Sequence, residues 1–188
     1  TVANALTHYM ETRGIKWKIR FVNRLDMDTS GLLLIAKNSY CQNNITNQMR
    51  KNQVSKKYLA IVRGVIPEEK GTVDLPIGRP DPDDVRRGVM EGGSLSITHY
   101  RVLERLREHT LVELLLETGR THQIRVHMSH MGHPVLGDTL YGGENEELIS
   151  RQALHAASLT FTHPITGEKT EYRADLPEDM KKAIEALR

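Results

Sequence analysis

A chain of 188 residues, 38% hydrophobic and 27% charged, has the make-up of an ordinary globular domain. No apolar run approaches the roughly 20 residues that a membrane-crossing helix needs, which excludes that class. A single cysteine, Cys41, excludes an internal disulfide framework and a cysteine-zinc cluster, and suits a reducing cytoplasm. The formal charge of +2 conceals an asymmetry. Residues 1–66 carry 11 basic side chains against Glu11, Asp26 and Asp28, a net of +8, whereas the remainder carries 15 against 21, a net of −6. Such a basic third is the footprint expected of a phosphate-binding surface, although a solvated face without a partner has the same composition.

In chain order, Val2, Ala3, Leu6, Thr7 and Met10 recur at helical spacing behind a Thr1 cap, and Gly14 supplies a stop. Because a helix pattern begins immediately at Thr1, the expectation is that native residues precede it. Residues 21–25 and 32–36 are apolar runs that predict strands on either side of the polar turn Asp26-Met27-Asp28-Thr29-Ser30-Gly31. Residues 39–51 predict a helix capped by Asn38 or Ser39, and VSKKYLAIVRG over residues 54–64 predicts a strand that contains Tyr58. Between Gly71 and Gly93, three prolines and five glycines predict turns and short extended pieces. Residues 94–106 and 110–117 form a predicted antiparallel hairpin around Arg107-Glu108-His109. A helix over residues 121–131, a second hairpin around Pro164-Ile165-Thr166-Gly167 and a terminal helix over 178–187 complete the reading. Hairpins mixed with scattered helices imply α+β, in one domain over residues 1–188, rather than a doubly wound parallel sheet.

Two groups of residues could carry chemistry. Asp26 falls where a strand gives way to a turn of small residues, so an ionised carboxylate there could attack an electrophilic carbon if a nearby cation oriented it. An aspartate that only caps the turn occupies the same kind of position. His122, His127, His130 and His133 fall at about 0, 140, 80 and 20 degrees around a helix, on one face. They lack the H-E-x-x-H arrangement and an accompanying carboxylate, so contacts to RNA or structural hydrogen bonds are the expectation rather than a metal. The glycines between Gly132 and Gly143 match neither a P-loop nor a dinucleotide fingerprint, and no cofactor is expected.

The run RLDMDTSGLLLIAK, followed in order by KKYLAIVRG, by LLLETGRTHQIRVHMSHMGHPVLGDTLYGG and by LHAASLTFTHPITGE, closely resembles the motifs of the Rlu-type RNA pseudouridine synthases. These motifs span nearly the whole chain. The resemblance implies that family's catalytic fold, with a mixed, mainly antiparallel central sheet and flanking helices, and isomerisation of uridine in ribosomal or transfer RNA without a cofactor. It implies Asp26 as the catalytic aspartate, Arg24 beside a flipped nucleotide and Tyr58 as the tyrosine that stacks on the target base. Arg125 matches the arginine paired with the catalytic carboxylate, with Arg120 one motif step away as the competing candidate. Lys56 and Lys57, with Arg24 and Arg120, are the expected RNA contacts.

Two departures stand out. Asn23 occupies a position where this branch commonly has histidine, and the Asn-Lys-Pro-Gly-like strand and small RNA-binding domain that often precede this region are absent. An RNA-binding module without catalysis, supported by the basic third, and a carboxylate or metal hydrolase are the readings to set against the synthase.

Overall fold

The computed structural model describes residues 1–143 and 147–188, whose contacts fall into two compact units. The smaller comprises Thr1–Arg24, Leu33–Val54 and Thr160–Glu171, and the larger comprises Leu25–Leu32, Ser55–Leu159 and Tyr172–Arg188.

In the smaller unit, α1 (Val2–Thr12) is capped by the Thr1 hydroxyl, which accepts from the Asn4 N–H, and buries none of its residues. Strands β1 (Arg20–Phe21) and β3 (Ile35–Ala36) pair antiparallel, and α2 (Ser39–Arg50) follows. The α2 cap is Asn38, whose side chain accepts from the Cys41 N–H at 2.8 Å. Gln48 uses its amide like a strand partner: Nε2 donates to the Thr162 carbonyl at 2.7 Å and Oε1 accepts from the Thr162 N–H at 2.9 Å. The two apolar runs predicted as strands contract to β1 and β3, because the chain between them turns back rather than continuing extended. Asn23 takes part in that turn by accepting from the Leu34 N–H at 2.7 Å.

The larger unit holds the core. Its strands are β2 (Ser30–Gly31), β4 (Ser55–Arg63), β5 (Lys70–Asp74), β6 (Ile77–Gly78), β7 (Gly88–Val89), β8 (Ile97–Leu106), β9 (His109–Leu116) and most of β10 (Leu154–Thr162). With β11 (Lys169–Arg173), the main sheet runs β11-β10-β4-β9-β8-β5, and β2 lies parallel to β10. The pairs β4-β9, β8-β9 and β5-β8 are antiparallel, so the sheet is mixed and mainly antiparallel, as expected. Helices α3 (Gln123–His130) and α4 (Glu178–Leu187) complete an α+β fold.

Strand β8 alternates strictly: Thr98, Tyr100 and Val102 point into the core while Ile97, His99 and Arg101 do not. This is the period-two pattern of a sheet with one covered face. The pairing with β9 shifts register at a bulge between Val102 and Glu104, and Leu106 beyond it is again buried. Strand β9 is buried along most of both faces, which explains its nearly continuous apolar run LVELLL. The glycine- and proline-rich segment, expected to yield turns and short extended pieces, begins with one such piece: Lys70–Asp74 forms a five-residue edge strand against β8. Gly71 makes this possible, since a Cβ there would lie 2.6 Å from the Tyr100 ring.

Helix α3 departs most from expectation. It begins at Gln123 rather than Thr121, because His122 takes a left-handed conformation with φ 58° and ends the preceding loop. Gln123 organises that junction. Its Oε1 accepts from the Thr118 hydroxyl at 2.8 Å and the Arg120 N–H at 2.9 Å, while Nε2 donates to the Ile97 carbonyl and the Thr98 hydroxyl, both at 3.0 Å. Residues 123–128 are all buried, so α3 is a core helix rather than an amphipathic one with a histidine face.

Candidate active site

Asp26 lies in the irregular stretch before the turn at Met27-Asp28, and the larger unit holds this loop from several sides. The Thr29 N–H donates to the Asp26 carbonyl at 3.1 Å, closing the turn, and Asp28 adopts a positive φ of 66°. Gln152, itself buried, donates from Nε2 to the Met27 carbonyl at 2.5 Å and to the Thr29 hydroxyl at 3.1 Å. Arg151 donates from Nη1 to the Asp28 carbonyl at 3.1 Å while Asp179 grips its guanidinium through two bonds of 2.7 and 2.9 Å.

Beyond the turn, β2 pairs with β10, with Ser30 opposite His155 and Gly31 opposite Ala156. A side chain at position 31 is excluded: its Cβ would lie 2.3 Å from the Ala156 carbonyl oxygen, at a φ of 111°. The His155 tautomer follows from its partners. Nε2 lies 3.2 Å from the Ala174 carbonyl, which can only accept, so Nε2 carries the proton and Nδ1 accepts from the Ser30 hydroxyl at 2.9 Å. Burial pushes the His155 pKa down, consistent with a neutral ring.

The Asp26 carboxylate faces Arg125 of α3, with Oδ2 3.6 Å from Nη1; the Asp26 side chain is 16% exposed and that of Arg125 only 6%. The separation is that of an ion pair, beyond hydrogen-bond length. The two parallel bonds that a guanidinium can make to a carboxylate go elsewhere. Nε and Nη2 bind Oδ2 and Oδ1 of Asp138 at 2.7 and 2.8 Å, and Asp138 is fully buried. Burial works against the Arg125 charge, but the bonds to and attraction of Asp138, with Asp26 behind them, raise its pKa overall. The Tyr141 ring lies 5.0 Å from the guanidinium carbon, within cation–π range. The Tyr141 oxygen accepts from the Arg87 N–H at 2.8 Å and lies 2.8 Å from His122 Nδ1.

Of the other residues singled out from sequence, Tyr58 lies within β4 and its phenol is pushed up to about 12, first by burial and then by the negative charge of Asp26. Tyr58 is therefore a neutral donor at ordinary pH. Lys56 shares the Tyr58 face of β4, as the two-residue period requires. Burial lowers the Lys56 pKa, and the positive charge of Arg120 lowers it further. Arg120 is exposed and donates from Nε to the Leu95 carbonyl at 3.2 Å, so Arg125, not Arg120, is the arginine brought to Asp26. Lys57 points to the opposite face of β4 and pairs with Glu113 at 3.7 Å. Arg24 is exposed and belongs to the smaller unit.

The histidines separate into different environments. His127 is fully buried, its Nε2 donating to the Leu75 carbonyl at 3.0 Å and its Nδ1 accepting from the Thr98 hydroxyl at 2.9 Å. His133 bonds through Nδ1 to the Arg63 carbonyl at 2.9 Å. Among the described residues no group of three or more His, Cys, Asp or Glu side chains is arranged to hold a metal ion. Sequence reasoning missed Asp138, Tyr141 and Gln152. Asp138 lay inside the motif HPVLGDTLYGG, but nothing in its spacing pointed to Arg125.

A half-buried carboxylate on a braced loop, an arginine beside it and a neutral tyrosine make a site for chemistry at a carbon centre. Residues 6–130 match the family model of the RNA pseudouridylate synthases, and the chain belongs to that family. It is 47% identical to the uncharacterised RNA pseudouridine synthase YlyB of Bacillus subtilis, over 100% of this chain and 63% of the relative. It is 45% identical to the ribosomal large subunit pseudouridine synthase D of Vibrio parahaemolyticus, over 100% of this chain and 62% of the relative. The chain thus spans less than two thirds of the length of these curated relatives. The solved structure of human RNA pseudouridylate synthase domain containing 4 superposes with a TM-score of 0.78 at 26% identity, covering 95% of this chain and 79% of that one. That of human RNA pseudouridylate synthase domain containing 1 gives 0.74 at 31% identity, covering 90% and 80%. Among the described residues no helix is long and apolar enough to cross a membrane.

Proposed function

We propose that this chain isomerises uridine to pseudouridine in ribosomal or transfer RNA, with Asp26 as the nucleophile, residues 1–188 working as one catalytic domain and the cytoplasm as its setting. The observation that carries the reading is the ion-pair approach of Arg125 to the Asp26 carboxylate in a site with little solvent. An arginine at that distance attracts the carboxylate and leaves its oxygens without a hydrogen bond from the guanidinium. The reaction breaks the bond between ribose C1′ and uracil N1, rotates the base and joins C1′ to C5; the C5 proton leaves and N1 regains one. It transfers no electrons between substrates and consumes no second substrate. Attack on C1′, addition to the base and elimination to a glycal all require the carboxylate to reach the nucleotide.

The base must leave its stack to enter such a site. Tyr58 is suited to stack on it and to donate a hydrogen bond, and Arg24 is suited to fill the space the base leaves. Lys56 and Arg120, two cations close enough to repel each other, are suited to flanking phosphates, and the net charge of +8 over residues 1–66 supports a wider contact with the RNA backbone. Lys57, tied to Glu113, would contribute only to that broader field.

The test is incubation with ribosomal and transfer RNA transcripts and mapping of pseudouridine at nucleotide resolution. Asp26→Asn is expected to keep the fold and lose turnover by on the order of 10⁴-fold or more. Wild-type turnover in folded Asp26→Asn would remove the assignment. Release of free uracil would instead indicate a glycosidase, and binding without product an RNA-binding module.

A further inference from the structure

The turn that carries Asp26 is fixed through its backbone. Three successive carbonyls are bound: that of Asp26 by the Thr29 N–H, that of Met27 by Gln152 Nε2 and that of Asp28 by Arg151 Nη1. We infer that Arg151, anchored on Asp179 of α4, is a positioning residue for the reaction: through the Asp28 carbonyl it holds the left-handed residue of this turn and so sets where the Asp26 carboxylate points. The inference rests on the reading of Asp26 as nucleophile.

The need for a hold comes from Asp28. Its φ of 66° is a conformation that a residue with a Cβ adopts at a cost, and that persists where the surroundings impose it. Arg151 supplies the constraint. Its Nη1 lies 3.1 Å from the Asp28 carbonyl oxygen, 3.2 Å from that of Gln152 and 3.5 Å from that of Leu154, so three carbonyl dipoles converge on one cationic nitrogen. Without the cation the three oxygens repel one another. The Gln152 carbonyl is also held by the Leu154 N–H, and Leu154 lies in β10, whereas Asp28 sits in a turn between strands. The Asp28 peptide is therefore the one that would swing away.

Arg151 itself is tied on two sides. Asp179 takes Nε and Nη2 at 2.7 and 2.9 Å, the paired geometry of a guanidinium and a carboxylate, which leaves Nη1 to the carbonyls. Burial works against the Asp179 charge, but the bonds to and attraction of Arg151 lower its pKa overall. Asp179 Oδ1 also accepts from the N–H of Met180, whose side chain is fully buried in the core. On the other side, the Arg151 carbonyl lies so close to Gly137 that no Cβ fits there. The loop of Asp26 thus takes its position from the first turn of α4. With its charge matched by Asp179 and its side chain only 18% exposed, Arg151 has little to offer an RNA phosphate, so its loss should alter turnover and not RNA binding.

The test is kcat and KM on RNA transcripts, measured below each variant's unfolding temperature. Arg151→Met should lower kcat about 100-fold with KM within about threefold of wild type, the pattern of a misplaced reacting group. Arg151→Lys keeps the charge but cannot bond Asp179 and the carbonyls together, and should lose nearly as much. Asp28→Gly added to Arg151→Met should restore kcat at least about fivefold, since glycine adopts a positive φ without being held. Wild-type kcat in Arg151→Met, a loss confined to KM, or no recovery with Asp28→Gly would overturn the inference. Should Arg151→Met not fold, Asp179→Asn, at a side chain 41% exposed, should lower kcat about tenfold at unchanged KM, and wild-type kcat there would overturn it equally. If the wild-type chain makes no pseudouridine on any transcript, the functional reading fails by itself. A crystal structure of Arg151→Met then decides the hold on the turn: an Asp28 that leaves its positive φ supports it, and an unchanged turn removes it.

Discussion

At Tyr58 a single side chain records both the burial of the site and its charge. Its phenol is pushed up to about 12, against an ordinary value of 10.0. A group that holds its proton more tightly when folded contributes stability that is complete below the unfolded value and is lost as pH rises through the folded one. Stability should therefore fall between about pH 10 and pH 12, by on the order of 2 to 3 kcal/mol from this residue. Tyr58→Phe should flatten that limb in denaturant midpoints measured across the range; an identical alkaline loss in the variant would place the cause elsewhere. Asp26 illustrates the converse limit of residue-level reading. By itself it could equally cap a turn, and what distinguishes it is the arginine facing it from a helix 99 positions later in the chain.

Among the elements, β2 matters most for its size. Two residues, Ser30 and Gly31, fasten the downstream end of the Asp26 loop to β10, through parallel pairing and the Ser30–His155 bond. Gly31→Ala would combine a left-handed conformation with a collision against the Ala156 backbone, which cannot yield as a flexible side chain would. The expected cost is about 3 kcal/mol or more, read as a lower urea midpoint, with a further loss of kcat in the protein that remains folded because Asp26 is re-aimed. An alanine variant with wild-type midpoint and turnover would show that β2 does not brace the loop. Helix α3 works similarly on the other side of the site, since Gln123 anchors its start and thereby fixes the height at which Arg125 emerges.

Across the molecule, buried and half-buried histidines tie stability to acid. His122, His127 and His155 sit on separate elements, and burial is the leading cause that lowers each pKa below the ordinary 6.5. The unfolded chain takes up their protons near that value, whereas the folded chain resists. Their contribution is thus present above about pH 6.5 and is lost as pH falls through the lowered folded values. Thermal unfolding should move to lower temperature as pH drops from 7 toward 5, and His127→Gln should weaken that dependence; an acid limb of undiminished steepness would exclude His127 as a contributor. The same residues correct the helical-face picture, since spacing around a helix reports direction only if the helix covers those positions. His122 lies ahead of α3 and His133 beyond it.

The sequence by itself determined the alternating strands, the hairpins, the cap at Thr1, the α+β class and the short candidate set around Asp26, and it narrowed the α2 cap to Asn38 or Ser39. These depend on period, turn chemistry and motif, which are local along the chain. It did not determine the start of α3 or the pairing of the extended piece Lys70–Asp74 with β8. Each depends on a contact made by a distant segment, Gln123 with Ile97 and Thr98 in one case and Gly71 against Tyr100 in the other. Only the tertiary structure decided which arginine faces Asp26 and that Asp138 holds it. A guanidinium chooses between carboxylates by geometry, and the three residues are brought together by a loop, a helix and a glycine-bound turn far apart in sequence.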